Sequence, residues 1–190
     1  MDKKEVWKPG NMLYPVPAVL VSCADRRGNK NVLTIAWAGT VCSDPVMVSI
    51  SVRPERYSYP MIRETGEFVI NLTTKDLAYA ADWCGVRSGR DVDKFESMGL
   101  SAIAAKTLQY APVIAQSPLS LECRVKQMTE LGSHHMFLAE VTAVQVSEKY
   151  MNDNGKFELN KTGLVAYSHG EYFELGKKIG KFGYSVKKHR

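Results

Sequence analysis

Apolar and polar positions alternate most cleanly over residues 46–53. Val46, Val48, Ile50 and Val52 share one face, and Met47, Ser49, Ser51 and Arg53 share the other. A period of two marks a strand with unlike faces. The same period returns in residues 119–128, through Leu119, Leu121, Cys123 and Val125. It returns again in residues 135–148, through Phe137, Ala139, Val141 and Ala143. Residues 15–23 form an apolar, β-branched run. Turn chemistry follows at residues 25–30, and a second run at residues 31–38 completes a hairpin. Residues 68–72 read as a buried strand, residues 153–156 as a turn, and residues 164–167 and 172–175 as short final strands.

Helical spacing is confined to three places. Residues 59–65 follow the strand-ending Pro54 and close on Gly66. Residues 74–83 place Leu77, Ala80 and Ala81 on one side, with Thr73 or Thr74 as the expected N-cap. Residues 93–98 suggest one further turn. Many strands at regular spacing with few helices predict a mainly β protein, a closed antiparallel barrel without parallel βαβ units.

Composition narrows this picture. The 190 residues, 45% hydrophobic and 24% charged, suit one globular domain over residues 1–190. None of the four cysteines stands in a CxxC pair, which argues against a dithiol site or zinc ribbon and for buried, reduced thiols. The basic start leads into no apolar segment, so no secretory signal is expected. The longest apolar stretch, residues 15–24, is about half of a membrane span. A cytoplasmic protein without membrane association is therefore expected. The net charge is +5, but residues 177–190 hold six Lys/Arg and no acid, which leaves the body at −1. The positive balance belongs to a C-terminal tail, against a nucleic-acid partner.

Common catalytic motifs are absent. There is no GxGxxG, GxxxxGK[ST], HExxH or GxSxG. His134 and His135 point to opposite faces of a strand, so no metal site is expected. Three stretches are unusual. The first runs from Ser49, Ile50 and Ser51 through Arg53 to Arg56, Tyr57 and Ser58. Its arginines and a following helix start are suited to a phosphate. The second, residues 31–40, sets small residues and Trp37 beside hydroxyls, which lets a flat ring approach backbone. The third, Arg87 to Phe95, is a glycine-broken cationic loop that by itself reads as solvated.

Taken in order, NVLTIAW, DPVMVSISVRPERYS, GEFVINL, SGRDVDKF and HHMFLAEV resemble the flavin reductase-like family, and within it the flavoredoxin branch of FMN-binding split barrels. The similarity runs from about Tyr14 to the YFELG segment at residues 172–176. It implies an antiparallel split β-barrel, a homodimer, and FMN near the subunit interface. Asn31 and Thr34 would offer polar groups to the flavin, and backbone near Val32, Leu33, Ala36 and Trp37 would face its ring. Ser49, Ile50 and Ser51 would meet its polar edge or ribityl chain. Arg56, Tyr57 and Ser58 would take the phosphate, with Lys94 close by and Arg53 as a neighbouring cation. His134 stands where many members carry a histidine after Gly-Asp; here Ser133 replaces the aspartate. It is the one candidate catalytic group.

The resemblance implies an FMN-binding oxidoreductase that passes electrons from NADH or NADPH to free flavin, ferric iron, a disulfide or a partner protein. The alternative is an FMN electron carrier that does not use reduced nicotinamide directly. A remote alternative is a nucleic-acid-binding module using the basic tail. Residues 1–12 read as an N-terminal arm and residues 177–190 as the tail.

Overall fold

The alternating segments become the walls of a curled sheet in a computed structural model of the chain, which describes residues 2–186. The basic end of the tail, residues 187–190, lies outside the described residues. In chain order the elements are β1 (Val16–Pro17), β2 (Val19–Ala24), β3 (Lys30–Ile35), β4 (Ala38–Ser43), β5 (Val46–Val52), α1 (Ser58–Thr65), β6 (Glu67–Leu72), α2 (Ala78–Val86), α3 (Lys94–Ser97), β7 (Ala102–Ile103), β8 (Val113–Ile114), β9 (Leu119–Leu131), β10 (His134–Val146), β11 (Val165–Ser168) and β12 (Glu171–Glu174).

Seven strands form one antiparallel sheet in the order β3-β2-β6-β9-β10-β5-β4. Its two edges, β3 and β4, are joined directly through Ala36 and Trp37. The sheet therefore curls until Leu33 and Ile35 of β3 share a core with Val48, Ile50 and Val52 of β5. Ser51 donates its backbone N–H to the Trp37 carbonyl at 2.9 Å beside the seam. This is the mainly β, antiparallel split barrel expected above, and the split runs between β3 and β5.

β2 is buried on both faces, which explains its unbroken apolar run. Val19, Val21 and Cys23 enter the barrel core. Leu20 turns outward to a second cluster with Val32, Leu77, Ala81, Cys84, Phe95 and Ile114. α1 closes one end of the barrel with Tyr59, Met61 and Ile62. It ends at Gly66, whose left-handed φ of 69° permits the bond back to Ile62.

Three expectations change. The run over residues 31–38 breaks at Ala36, and residues 38–43 form the separate edge strand β4. Neither Thr73 nor Thr74 caps a helix by its side chain: a 3₁₀ turn over Lys75–Leu77 intervenes, and the buried Thr73 hydroxyl has no partner among the described residues. The four cysteines are free, but Cys42 is only half-buried and its thiol donates to the Asp44 carbonyl.

Candidate functional site

The split opens into two adjoining cavities. The larger, about 440 Å³, is lined by Asn31, Leu33 and Thr34 of β3, by Arg53 and residues 55–58, by the end of α2, and by residues 87–90 and Lys94. The smaller, about 130 Å³, lies between Ala36, Trp37, Ser51 and His134. Leu33, Thr34, Arg53 and Arg56 line both, so the two are one cleft with unlike ends.

Five cations line the larger end, Arg53, Arg56, Arg87, Arg90 and Lys94, against one acid, Glu55. Four of them, all but Arg87, have side-chain partners in the local fold. Pro54 stops β5 and leaves Arg53 at its mouth, 3.5 Å from Glu55. The Arg56 guanidinium donates to the Gly85 carbonyl at 3.3 Å. Lys94, at the start of α3, donates to the Cys84 carbonyl at 2.6 Å. Both cations thus satisfy carbonyls in the last turn of α2, where the helix dipole favours positive charge. Lys94 is only 4% exposed and, among the described residues, forms no ion pair. Burial, with Arg56 adding to it, holds its pKa below the ordinary lysine value of 10.5. A buried ammonium without a carboxylate is costly, and an anion in the cavity offers it a counter-charge.

The Asn31 amide donates to the Ser58 hydroxyl at 2.8 Å, both groups being buried. This bond ties β3 to the start of α1, which no side chain caps. The Thr34 hydroxyl donates to the Ala81 carbonyl and ties β3 to α2. A Cβ on Gly89 would lie 2.3 Å from Asn31 Oδ1 and 2.6 Å from Tyr57 Cδ1, so only glycine lets the cationic loop press against this wall.

The smaller end differs in kind. β3 is a sheet edge, so alternate backbone N–H and C=O groups face the split without a partner strand. Trp37 and Ala36 close the far side. Burial, together with Arg53 nearby, holds His134 below its ordinary 6.5, so it is neutral at pH 7. Its Nδ1 lies 3.0 Å from the Ser133 hydroxyl. Burial pushes Cys84, on the cleft wall, to about 11 and keeps it a thiol.

The structure brings most of the sequence candidates together. Asn31, Leu33, Thr34, Arg56, Tyr57, Ser58 and Lys94 line the larger end, and Ala36, Trp37, Ser51 and His134 the smaller. Val32, Ser49 and Ile50 line neither. The Val32 side chain packs toward α2, Ile50 is buried in the barrel core, and Ser49 sits on β5 between Gly39 and Leu138. The loop that alone reads as solvated, residues 87–90, is instead a wall of the cleft. Its cation-glycine-cation pattern was the available signal, and only the fold brings it to Arg56.

The family model for the flavin reductase like domain matches residues 11–176. The chain belongs to that family. Among solved structures it is similar to the flavoredoxin of Desulfovibrio vulgaris (Miyazaki F), with 30% identity and a TM-score of 0.89 over 97% of this chain and 100% of that one. It is similar to the flavoredoxin from Methanosarcina acetivorans at 28% identity and a TM-score of 0.86, with the same coverage. A 112-residue stretch is 30% identical to the reductase component of 4-nitrophenol 4-monooxygenase/4-nitrocatechol 2-monooxygenase from Rhodococcus opacus, covering 59% of this chain and 56% of that one. Among the described residues of this flavin reductase-like chain, no helix is long and apolar enough to cross a membrane, and no three His, Cys, Asp or Glu residues gather as a metal site.

Proposed function

We propose that this chain is an FMN-binding oxidoreductase reduced directly by NADH or NADPH. The observation that carries the FMN part of this reading is the two-ended cleft: five cations and one acid at one end, a strand edge and Trp37 at the other. The flavin reductase like family and the chain's likeness to a monooxygenase reductase component support the direct use of reduced nicotinamide. That donor set fits FMN, which joins a phosphate dianion to a flat tricycle through a polyol. When bound, FMN would supply the electron-storing chemistry between a hydride donor and an acceptor such as free flavin, ferric iron, a disulfide or a partner protein.

The residues of the chain divide the work. Arg56, Ser58 and Lys94 hold the phosphate, with charge-assisted bonds the strongest available. Asn31 fixes the Ser58 hydroxyl. The free edge of β3 offers backbone groups to the polar rim of the ring, and Ala36 leaves room for the ring to approach. Trp37 excludes water from that end. Neutral His134 would offer a ring nitrogen to the smaller end of the cleft without adding a charge. Val32, Ser49 and Ile50 act through backbone or through the strands they stiffen. The likeness to flavoredoxins supports a second reading, an electron carrier served by another protein.

Binding of FMN and riboflavin to Arg56→Ala tests the assignment. FMN affinity falls at least tenfold, in line with about 1.5–3 kcal/mol for a charge-assisted bond, while riboflavin affinity stays unchanged. Equal FMN affinity in wild type and variant would remove Arg56 from the phosphate site.

A further inference from the structure

Beyond the cationic end of the cleft lies another cavity, about 430 Å³, lined by Gly28, Asn29, Lys30 and residues 91–93. It shares three wall residues with the cationic end: Tyr57, Gly89 and Arg90. Arg90 is the long side chain among them, and it is fixed from two sides. Its guanidinium donates to the Glu55 carbonyl at 3.1 Å and lies 5.9 Å over the Tyr57 ring. Gly89 is pinned against Asn31 and Tyr57, so the loop carrying Arg90 cannot gain a Cβ there without shifting.

We propose that Arg90 is a specificity-determining residue that ends the ligand site after one phosphate, so that the cleft selects a flavin monophosphate over a flavin whose phosphate continues into a diphosphate and nucleoside. The inference rests on the flavin reading above. Charge supports the same selection. The contribution comes from the far side, where Asp91 and Asp93 line the cavity with Lys30 and Arg90. A second phosphate pushed past Arg90 meets those two carboxylates.

The experiment measures FMN and FAD dissociation constants for wild type, Arg90→Ala and Arg90→Gln. Wild type prefers FMN by at least tenfold. Arg90→Ala opens the partition and narrows that preference at least fivefold, even though FMN itself binds less tightly. Arg90→Gln loses the charge but keeps most of the bulk; both flavins weaken together and the preference stays within twofold of wild type. A preference unchanged in Arg90→Ala overturns the proposal, because Arg90 is then a plain anion contact. So does wild type binding FAD as tightly as FMN, or Arg90→Gln behaving as Arg90→Ala does. Failure of wild type to bind either flavin overturns the flavin reading itself, a distinguishable result.

Discussion

Lys94 shows how one residue links burial to ligand choice. It sits 4% exposed against a helix C-terminus, with Arg56 as a cationic neighbour. Its folded pKa lies below 10.5, so it loses its proton at a lower pH than a free lysine does. An anion binds the protonated form better. FMN affinity therefore starts to fall as pH rises into the window between that lowered value and 10.5, and Lys94→Met weakens binding at neutral pH and flattens that fall. Fluorescence titration of FMN across pH checks both; a wild-type affinity flat to pH 10.5 would contradict it. For the apo fold the sign is opposite: the folded state holds fewer protons than the unfolded one there, so stability rises with pH over the same window. Residue types such as Arg56 and Ser58 were legible as phosphate partners because they stand next to one another. The contribution of Arg87 and Arg90 was not, because a loop some 30 positions away carries no sign of where it lands.

At the scale of elements, alternation exposed the strands with two unlike faces, β5, β9 and β10. It hid β4, whose mostly exposed residues lack a buried face to impose the period. It also gave no sign of the loop over residues 104–112, which two buried carboxylates fasten to the barrel. Glu67 accepts backbone N–H bonds from Gln109, Tyr110 and Ala111. Glu122 accepts from Lys106 and Thr107 backbone, the Thr107 hydroxyl and the Gln145 amide. Burial pushes the Glu122 pKa up, but these bonds outweigh it and hold the carboxyl below its ordinary 4.5. Its stabilisation is present above pH 4.5 and is lost as pH falls through the lowered folded value. Glu122→Gln strands donors that the carboxylate satisfied and costs about 2 kcal/mol, read from urea unfolding at pH 7. A loss within experimental error would show that the loop is held by packing alone.

For the whole molecule, apolar surface is left where a monomer has no use for it. Val6, Trp7 and Met12 of the N-terminal arm, Val41 and Val46 at the β4–β5 edge, and Ile179 and Phe182 of the tail are all exposed in the single chain. Surface of this kind, beside an unpaired sheet edge, suits a second copy. The proposed homodimer sediments as such at micromolar concentration, and removing residues 2–12 shifts it toward monomer; a wild-type monomer at that concentration would contradict it. The barrel was legible in the strand spacing and its split through the resemblance, and both are borne out. The account stands or falls on what the cleft holds and what reduces it. The decisive measurement is an anaerobic visible spectrum of the FMN-loaded protein during titration with NADH and then NADPH. The account predicts a retained flavin band that bleaches with one of the two donors. A band that bleaches only with dithionite contradicts direct use of reduced nicotinamide and leaves the electron carrier; no retained flavin contradicts the site.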